Sequence, residues 1–272
     1  MLMPMFNPVL GGADNFFTDI QGVGLDTNLV LCLDAGVEAS LASGAQKWLD
    51  LTANGYDFIL GATHCETTDD PTIVNAGAKD STAYLSFDSG DHLLYDTTNE
   101  TWMENQHKDN AAFSMACFIY YPAAGIDADI AGTCAGGGGN NVGWHWKANP
   151  AQRFRIEQNG TNDTIFTCDN SPATGWHFIA FSIDEATGAG GGFAFIDGAY
   201  DQVGSSDTFD ASYGAPSANA ATYTMQIGAS GNNSRPLSAG ARLGGFFVWD
   251  TNLSFTQIDS VYDAVKARYG LS

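Results

Sequence analysis

The 272-residue sequence predicts an all-β fold, and three observations support this prediction. The chain has 32 Gly and 17 Phe, a composition typical of many turns and strands. Only six of its 31 acidic residues are Glu, and the remaining Asp favours turns over helices. Runs of aromatic and β-branched residues recur between stretches rich in Gly, Asn and Ser. With no internal repeat or linker, residues 28–272 are expected to form one domain behind an N-terminal arm, residues 1–27.

The predicted strands are short apolar runs bounded by turn residues. Asp197–Gly198 follows one of these runs and predicts a two-residue type I′ hairpin, because both residue types tolerate a positive φ. The Gly/Asn/Ser-rich stretches between other runs predict loops. We expect strands at Leu29–Leu33, Ala111–Tyr121, His177–Ile183, Gly192–Ile196, Tyr223–Gly228 and Gly245–Trp249.

One short helix is predicted near the C-terminus. Ser254 and Gln257 have the spacing of a capping box, in which each side chain accepts or donates at the other's backbone. Gly270 is placed to end the helical segment in a left-handed conformation. Between these signals, apolar residues recur at helical spacing: Ile258, Val261, Tyr262, Val265 and Tyr269.

The N-terminal arm is apolar and lacks periodicity. Such a segment is adhesive in water, so we expect it to pack on its own domain or on a neighbouring subunit. A symmetric homo-oligomer is the expected assembly if it packs on a neighbour. The residues expected to make these contacts are Met3, Met5, Phe6, Leu10, Phe16 and Phe17.

The net charge of −21 argues against two classes of partner. Nucleic acids and anionic lipids both require a basic surface, so neither nucleic acid nor membrane is an expected partner. The first residues lack the basic segment of a signal peptide, and no apolar run of about 18 residues occurs. The five cysteines have no metal-binding spacing and are expected to be free thiols. These features predict synthesis in a reducing cytoplasm.

Four motifs follow one another along most of the chain, at residues 48–58, 85–93, 175–200 and 244–265. Their order and spacing resemble a laminin-G-like member of the concanavalin A-like lectin/glucanase superfamily. The resemblance implies two antiparallel sheets packed as a jelly-roll sandwich over about residues 28–270. The matching positions are Trp48, Asp50, Asn54 and Gly55, the turn Phe87–Asp91, the pair Trp176–His177 and the hairpin Asp197–Gly198.

The sequence offers no recognisable catalytic centre. The glucanases that the chain resembles carry a Glu-x-Asp-x-Glu strand, and none of the six Glu lies in this pattern. No GxSxG or HExxH motif occurs either. We therefore expect a protein that is not an enzyme. A glycoside hydrolase remains the third hypothesis, and it predicts two carboxylates facing each other across a concave sheet.

Two candidate binding sites can be named from the residues. Asp88 and Asp91 offer oxygen ligands for calcium, which the resemblance implies at the rim of the sandwich; their alternative role is capping of the turn. Trp144 and Trp146 lie two apart on one strand face and, with Asn140 and Asn141, could bind a sugar. The alternative for both rings is a place in the core.

Three functions are therefore considered. The first is a structural protein on the surface of a virus particle, as a bacteriophage capsid decoration, head-fibre or tail-associated protein anchored by its arm. It rests on the resemblance, since laminin-G-like domains are common on phage virions. The second, compatible with the first, is a lectin-like module that binds host-surface glycans. The third is the glycoside hydrolase. No cofactor is expected to be required, with calcium as the one candidate.

Overall fold

The computed structural model describes residues 15–96, 103, 106–123, 126–135, 141–148, 152–158, 161–168, 171–201, 208–214 and 216–272. Strands dominate this part of the chain and form two antiparallel sheets that pack face to face, which confirms the predicted fold class. The helices are short, and none of those described is long and apolar enough to cross a membrane. They are α1 (Phe16–Gly22), α2 (Phe255–Val265) and the 3-10 segments Glu185–Gly190 and Lys266–Tyr269.

The first sheet has eight strands in the order β14-β13-β12-β7-β17-β5-β4, with β1 also paired to β17. Its long central strands β7 and β12 pair along their full length, so that Phe118 lies opposite Phe178. The strands are β1 (Leu29–Asp34), β4 (Thr72–Val74), β5 (Tyr84–Ser86), β7 (Ala112–Tyr121), β12 (Gly175–Asp184), β13 (Gly192–Ile196), β14 (Ala199–Tyr200) and β17 (Arg242–Trp249).

The second sheet has nine strands in the order β15-β11-β10-β9-β8-β16-β6-β3-β2. The predicted strand at 223–228 is shorter than expected, with only Gln226 and Ile227 in ladder pairing. The strands are β2 (Lys47–Trp48), β3 (Phe58–Leu60), β6 (Leu93–Tyr95), β8 (Asp129–Gly132), β9 (Val142–Lys147), β10 (Arg153–Gln158), β11 (Thr161–Thr167), β15 (Thr208–Phe209) and β16 (Gln226–Ile227).

The main core lies between the two sheets. Alternate residues of each strand point into it, as the two-residue period of a strand requires. From the nine-stranded sheet come Trp144 and Trp146, both fully buried. The Trp146 ring meets Phe181 of β12 edge-on at 4.9 Å between centroids, a favoured geometry for aromatic pairs.

A second apolar layer covers the outer face of the eight-stranded sheet. The other alternate residues of the central strands, among them Phe118, Phe178 and Phe247, are buried there beneath the two helices. Helix α2 begins and caps as predicted, with Ser254 and Gln257 making both capping-box hydrogen bonds. Its inward residues are Ile258, Val261, Tyr262 and Val265.

The second half of the predicted N-terminal arm is not extended, because it contains helix α1. Asn15 accepts a hydrogen bond from the Thr18 backbone N–H and starts helix α1, a cap that the sequence reasoning did not use. Phe16 is fully buried against its own domain, stacked on Phe118 at 5.3 Å. Phe17 is half-buried beside the same layer. Met3, Met5, Phe6 and Leu10 lie outside the described residues.

One buried ion pair beside this layer joins a residue near the start of the chain to one near its end. Arg268 donates from Nη1 to Asp34 Oδ1 at 2.5 Å, and its guanidinium lies 3.7 Å over the Phe16 ring. Burial raises the pKa of Asp34, while Arg268 and the backbone N–H groups of Phe16 and Gly36 act to lower it. The pair therefore fixes α1 and the C-terminal 3-10 segment on the same sheet.

Candidate functional site

A cleft of about 400 Å³ opens where the start of α2 meets the edge of the eight-stranded sheet. Three aromatic rings form one wall: Phe193, Tyr200 and Phe255. Tyr200 is 51% exposed and stacks on Phe255 at 4.2 Å between centroids, with 25° between the ring planes. Phe193 meets Tyr200 edge-on at 5.6 Å and holds it from below. An aromatic face is thus presented to solvent on a rigid base.

The hairpin between β13 and β14 sets the direction of the Tyr200 ring. Asp197 and Gly198 have φ values of 47° and 90°, which confirms the predicted type I′ turn. This two-residue turn pairs Phe195 with Tyr200, so both side chains lie on the outer face of the sheet. The signal was available in the sequence, because a two-residue turn fixes the register.

The lining of the cleft also includes polar side chains: Asp184, Thr187, Asn252 and Ser254. Thr187 Oγ1 donates to Asp184 Oδ2 at 2.8 Å, which orients the carboxylate. Gly191 lets the 3-10 segment fold back tightly, since a Cβ there would lie 2.0 Å from the Asp184 carbonyl oxygen. The cleft therefore suits a ligand with one apolar face and a rim of hydroxyl groups.

The residues predicted to bind a sugar lie elsewhere. Trp144 and Trp146 do share one face of β9, but that face is the inter-sheet core and both rings are fully buried. They offer no stacking surface, which is a correction to the sugar-site prediction and agrees with its alternative. Asn141 is half-buried and donates to the Ala135 carbonyl oxygen at 3.0 Å. Asn140 lies outside the described residues.

The acidic pair of the 87–91 turn has clear turn-capping contacts. Asp91 Oδ2 accepts from the Asp88 backbone N–H at 2.9 Å, and Asp88 Oδ1 accepts from the Gly90 N–H at 3.1 Å. Burial, together with Asp88, raises the pKa of Asp91 to about 7. Its Oδ1 is buried and makes no hydrogen bond to the described residues. This free oxygen beside a second carboxylate fits a hard cation such as calcium.

A group of titratable side chains lies buried on the outer face of the nine-stranded sheet, and we name it the polar cluster. His145 Nδ1 lies 3.2 Å from Asp129 Oδ2, and its Nε2 lies 3.5 Å from Glu157 Oε1. Lys147 Nζ donates to Asp129 Oδ1 at 3.2 Å. The members are Asp129, Cys134, His145, Lys147 and Glu157, all at most 5% exposed.

The polar cluster bears on the hydrolase hypothesis. Asp129 and Glu157 are two carboxylates on one sheet face, as that hypothesis predicts, and they flank a shared histidine. Both are almost fully buried, at 0% and 2% exposure, so neither faces an open groove. None of these residues was predicted from the sequence to lie in a site, although the alternation of His145 and Lys147 with Trp144 and Trp146 was visible.

Two antiparallel sheets packed face to face, with a helix near the end of the chain, define the class of jelly-roll β-sandwiches. The family comparison makes this class specific. Residues 79–259, more than half of the chain, match the family model described as concanavalin A-like lectin/glucanases superfamily. The chain therefore belongs to this superfamily, as the motif order indicated.

Two solved structures illustrate the similarity of the fold. The binding domain of botulinum neurotoxin DC in complex with SialylT aligns with a TM-score of 0.58 at 12% identity, covering 88% of this chain and 52% of that one. Domain 4 of AbnA, a GH43 extracellular arabinanase from Geobacillus stearothermophilus, in complex with arabinotriose, gives 0.52 at 14%, covering 88% and 98%.

At these identities the likeness establishes the fold alone. The chain spans about half the length of the neurotoxin domain and nearly all of the arabinanase domain. No curated protein sequence matches the chain.

Proposed function

We propose that this protein is a non-enzymatic glycan-binding module whose binding site is the cleft beside Tyr200. The observation that carries the proposal is the exposed Tyr200 ring, stacked on Phe255 in a cleft whose lining includes hydroxyl, amide and carboxylate groups. A sugar ring has one apolar C–H face and polar edges, so it would stack on Tyr200 and hydrogen-bond to Asp184 and Asn252.

The structural neighbours support the same class of ligand. One is a complex with SialylT and one a complex with arabinotriose, and cell entry of botulinum neurotoxin type C depends on interaction with two ganglioside molecules. The neighbour in complex with arabinotriose is one domain of a larger enzyme. A domain of similar fold in complex with a sugar favours a sugar-recognising module here.

The described lining of the cleft supports a function without catalysis. Among those residues Asp184 is the one carboxylate, whereas glycoside hydrolysis ordinarily needs two. The two carboxylates of the polar cluster lie on the other sheet and are buried. We therefore expect bound glycan to be recovered unchanged.

The test is a glycan array followed by affinity measurements on each hit. Tyr200→Ala removes the stacking face and should weaken binding at least about tenfold, or ~1.4 kcal/mol. Tyr200→Phe keeps the ring and should retain most of the affinity. Leu49→Ala is the matched control, because Leu49 is also an exposed apolar side chain but lies outside the cleft. Hits that bind Tyr200→Ala as tightly as the unaltered protein would refute the assignment of this cleft.

We also propose that the module is displayed on a virus particle, with its N-terminal segment as the anchor and further copies of itself and other virion subunits as partners. The apolar sequence before α1 supports an anchor, because residues 1–14 are rich in Met and Leu, whereas Phe16 is already buried on its own domain. The acidic charge and free thiols agree with synthesis in a host cytoplasm.

The anchor is tested by removing residues 1–14 while keeping α1, because loss of α1 would uncover the outer layer of the eight-stranded sheet. Light scattering and co-sedimentation with particles compare the shortened and full-length chains. Oligomerisation or co-sedimentation of the full-length chain alone supports the anchor. Equal behaviour of both chains would refute the anchor and leave a glycan-binding module that is not attached to a particle.

Glycan binding is proposed to need no cofactor, since the cleft and the 87–91 turn share no lining residue. If calcium binds, Asp88 and Asp91 would hold it, and the ion would neutralise their negative charge at the rim. Affinity measured with a chelator and with added calcium should be equal.

A further inference from the structure

The centre of the nine-stranded sheet brings three different donor atoms together. His145 lies in the middle of β9, directly opposite Gly132 of β8 and Arg155 of β10. Glu157 lies two residues further along β10, opposite Gly143. Because Gly143 has no side chain, the Glu157 carboxylate can lean diagonally toward the imidazole. The side chains of His145 and Glu157 therefore meet on the outer face of the sheet.

Cys134 reaches the same point from the loop after β8. The Thr133 N–H donates to the Trp144 carbonyl oxygen at 2.9 Å, and the Trp144 N–H donates to Thr133 Oγ1 at 3.2 Å. Gly143 makes this close crossing feasible: its φ is 145°, and a Cβ there would lie 2.5 Å from Thr133 Oγ1. The loop backbone is thus held against β9, which fixes the position of the Cys134 thiol.

The three donor atoms are mutually close and shielded from solvent. One ligand atom each from Cys134, His145 and Glu157 lie within 4.8 Å of one another, and the residues are 0%, 1% and 2% exposed. His145 Nε2 is buried and makes no hydrogen bond to the described residues. It lies 3.5 Å from Glu157 Oε1, a distance at which the two atoms could share a bound ion.

Asp129 orients the imidazole from the opposite side. Its Oδ2 lies 3.2 Å from His145 Nδ1, and a proton held on Nδ1 by this carboxylate would leave the lone pair of Nε2 for a metal ion. Asp129 is itself held by Lys147 at 3.2 Å and by Arg235 Nε at 3.4 Å. A carboxylate that accepts from the far nitrogen of a histidine is the usual second layer of a histidine metal site.

We propose that Cys134, His145 and Glu157 bind a divalent transition-metal ion of the zinc class. A thiolate, an imidazole and a carboxylate form a mixed donor set suited to zinc, whereas calcium and magnesium take oxygen donors alone. Three protein ligands leave a fourth tetrahedral position for water or a further group. The ion would tie β9, β10 and the loop after β8 together.

A network of ion pairs without metal is the competing explanation. In that network Asp129 and Glu157 balance the charges of Lys147, Arg235 and a protonated His145. It gives Cys134 no role, so Cys134→Ser would leave the behaviour of the cluster unchanged. The thiol therefore separates the two explanations.

The experiment uses the full chain with Cys65→Ser as the parent. Exposed Cys65 lies next to His64, and together they could bind metal elsewhere on the surface. Protein is produced in zinc- or cobalt-supplemented medium, because a buried site loads during folding. We expect about one metal ion per chain by mass spectrometry, a thiolate-to-cobalt charge-transfer absorption band, and a Tm that falls on metal removal.

Two variants probe the site, one at a ligand and one at the residue that orients His145. Cys134→Ser should abolish the charge-transfer band and most of the bound metal. Asp129→Asn should lower metal affinity about 10- to 100-fold while keeping the band, because it disturbs only the orientation of His145. Cys117→Ser is the matched control, as Cys117 is equally buried but lies in the inter-sheet core; it should keep both metal and band.

Three results would overturn the proposal. The parent could purify without stoichiometric metal and show no Tm change with zinc. Alternatively, Cys134→Ser could retain the metal and band of the parent. Finally, the metal could be lost equally in the Cys117→Ser control. Circular dichroism of each variant distinguishes loss of the charge-transfer band through loss of a ligand from loss through unfolding.

Discussion

The two sheets of this sandwich bury their outer faces in opposite ways. On the eight-stranded sheet, α1 and α2 cover a layer of aromatic and aliphatic side chains, with Asp34 and Arg268 as a buried ion pair at its edge. On the nine-stranded sheet, the buried residues at the centre are the polar cluster. The centres of both faces are shielded from water, but only the first gains free energy from apolar area alone.

The first layer mainly serves packing, whereas the composition of the polar cluster is suited to chemistry. Burying charged groups costs free energy unless each is paired, and replacement by apolar residues is often neutral or stabilising. Away from the cleft beside Tyr200, the aromatic layer needs no further explanation than stability. Burying a thiol, an imidazole and two carboxylates together costs more free energy than burying apolar side chains. This cost favours a ligand-binding role for that face.

The largest expected effect concerns the ion pair under the helices. Arg268→Met should lower the free energy of unfolding by about 3–5 kcal/mol, because it leaves Asp34 charged and buried without its partner. Denaturant unfolding measures this loss. The double variant Asp34→Asn/Arg268→Met should recover part of it, since no unpaired charge then remains. Equal losses in the single and double variants would show that the side chain of Arg268 acts through packing alone.

A smaller loss is expected when one cation of the polar cluster is removed. Lys147→Met should cost about 1–3 kcal/mol, because Asp129 keeps His145 and Arg235 as partners. The control is Lys47→Met, whose pair with Asp96 is partly exposed and should be worth about 0–1 kcal/mol. The same unfolding curves compare the two variants. Similar losses would mean that the cluster is no more tightly coupled than a surface pair.

A pH-dependent contribution is expected from the half-buried pair His177 and Asp197. Burial acts to lower the pKa of His177, but the 2.6 Å contact with Asp197 outweighs it and the pKa is raised. Stability from this pair is therefore fully present below the ordinary histidine pKa of about 6.5 and is lost as pH rises through the raised value.

The unfolding free energies of the parent and of His177→Gln should therefore differ more at pH 6 than at pH 8. Asp197→Asn keeps the left-handed turn, which Asn tolerates, and should remove the same pH dependence. A difference that stays constant across this range would contradict the assigned pair.

The smallest effect on stability is expected at the cleft. Tyr200→Ala should change the unfolding free energy by no more than about 0.5 kcal/mol, as is usual for exposed positions. The same substitution is expected to reduce glycan affinity, so stability and binding separate at this residue. A large loss of stability would mean that Tyr200 mainly shields Phe255, and any loss of binding would then be indirect.

The sequence by itself determined the all-β class, the capped helix after Ser254 and the hairpin at Asp197–Gly198, because each depends on neighbouring residues. The start of α1 at Asn15 was equally local but was not recognised. Local signals of this kind act within about four residues, and tertiary contacts then reinforce them.

Only the tertiary structure decided which face of β9 is the core, and hence that Trp146 is buried while His145 joins the polar cluster. Period-two alternation defines two faces but does not say which one meets the other sheet. The Asp34–Arg268 pair spans 234 residues, and the cluster assembles from three strands and a loop. Such sites depend on sheet order and register, which are set by the packing of the whole sandwich.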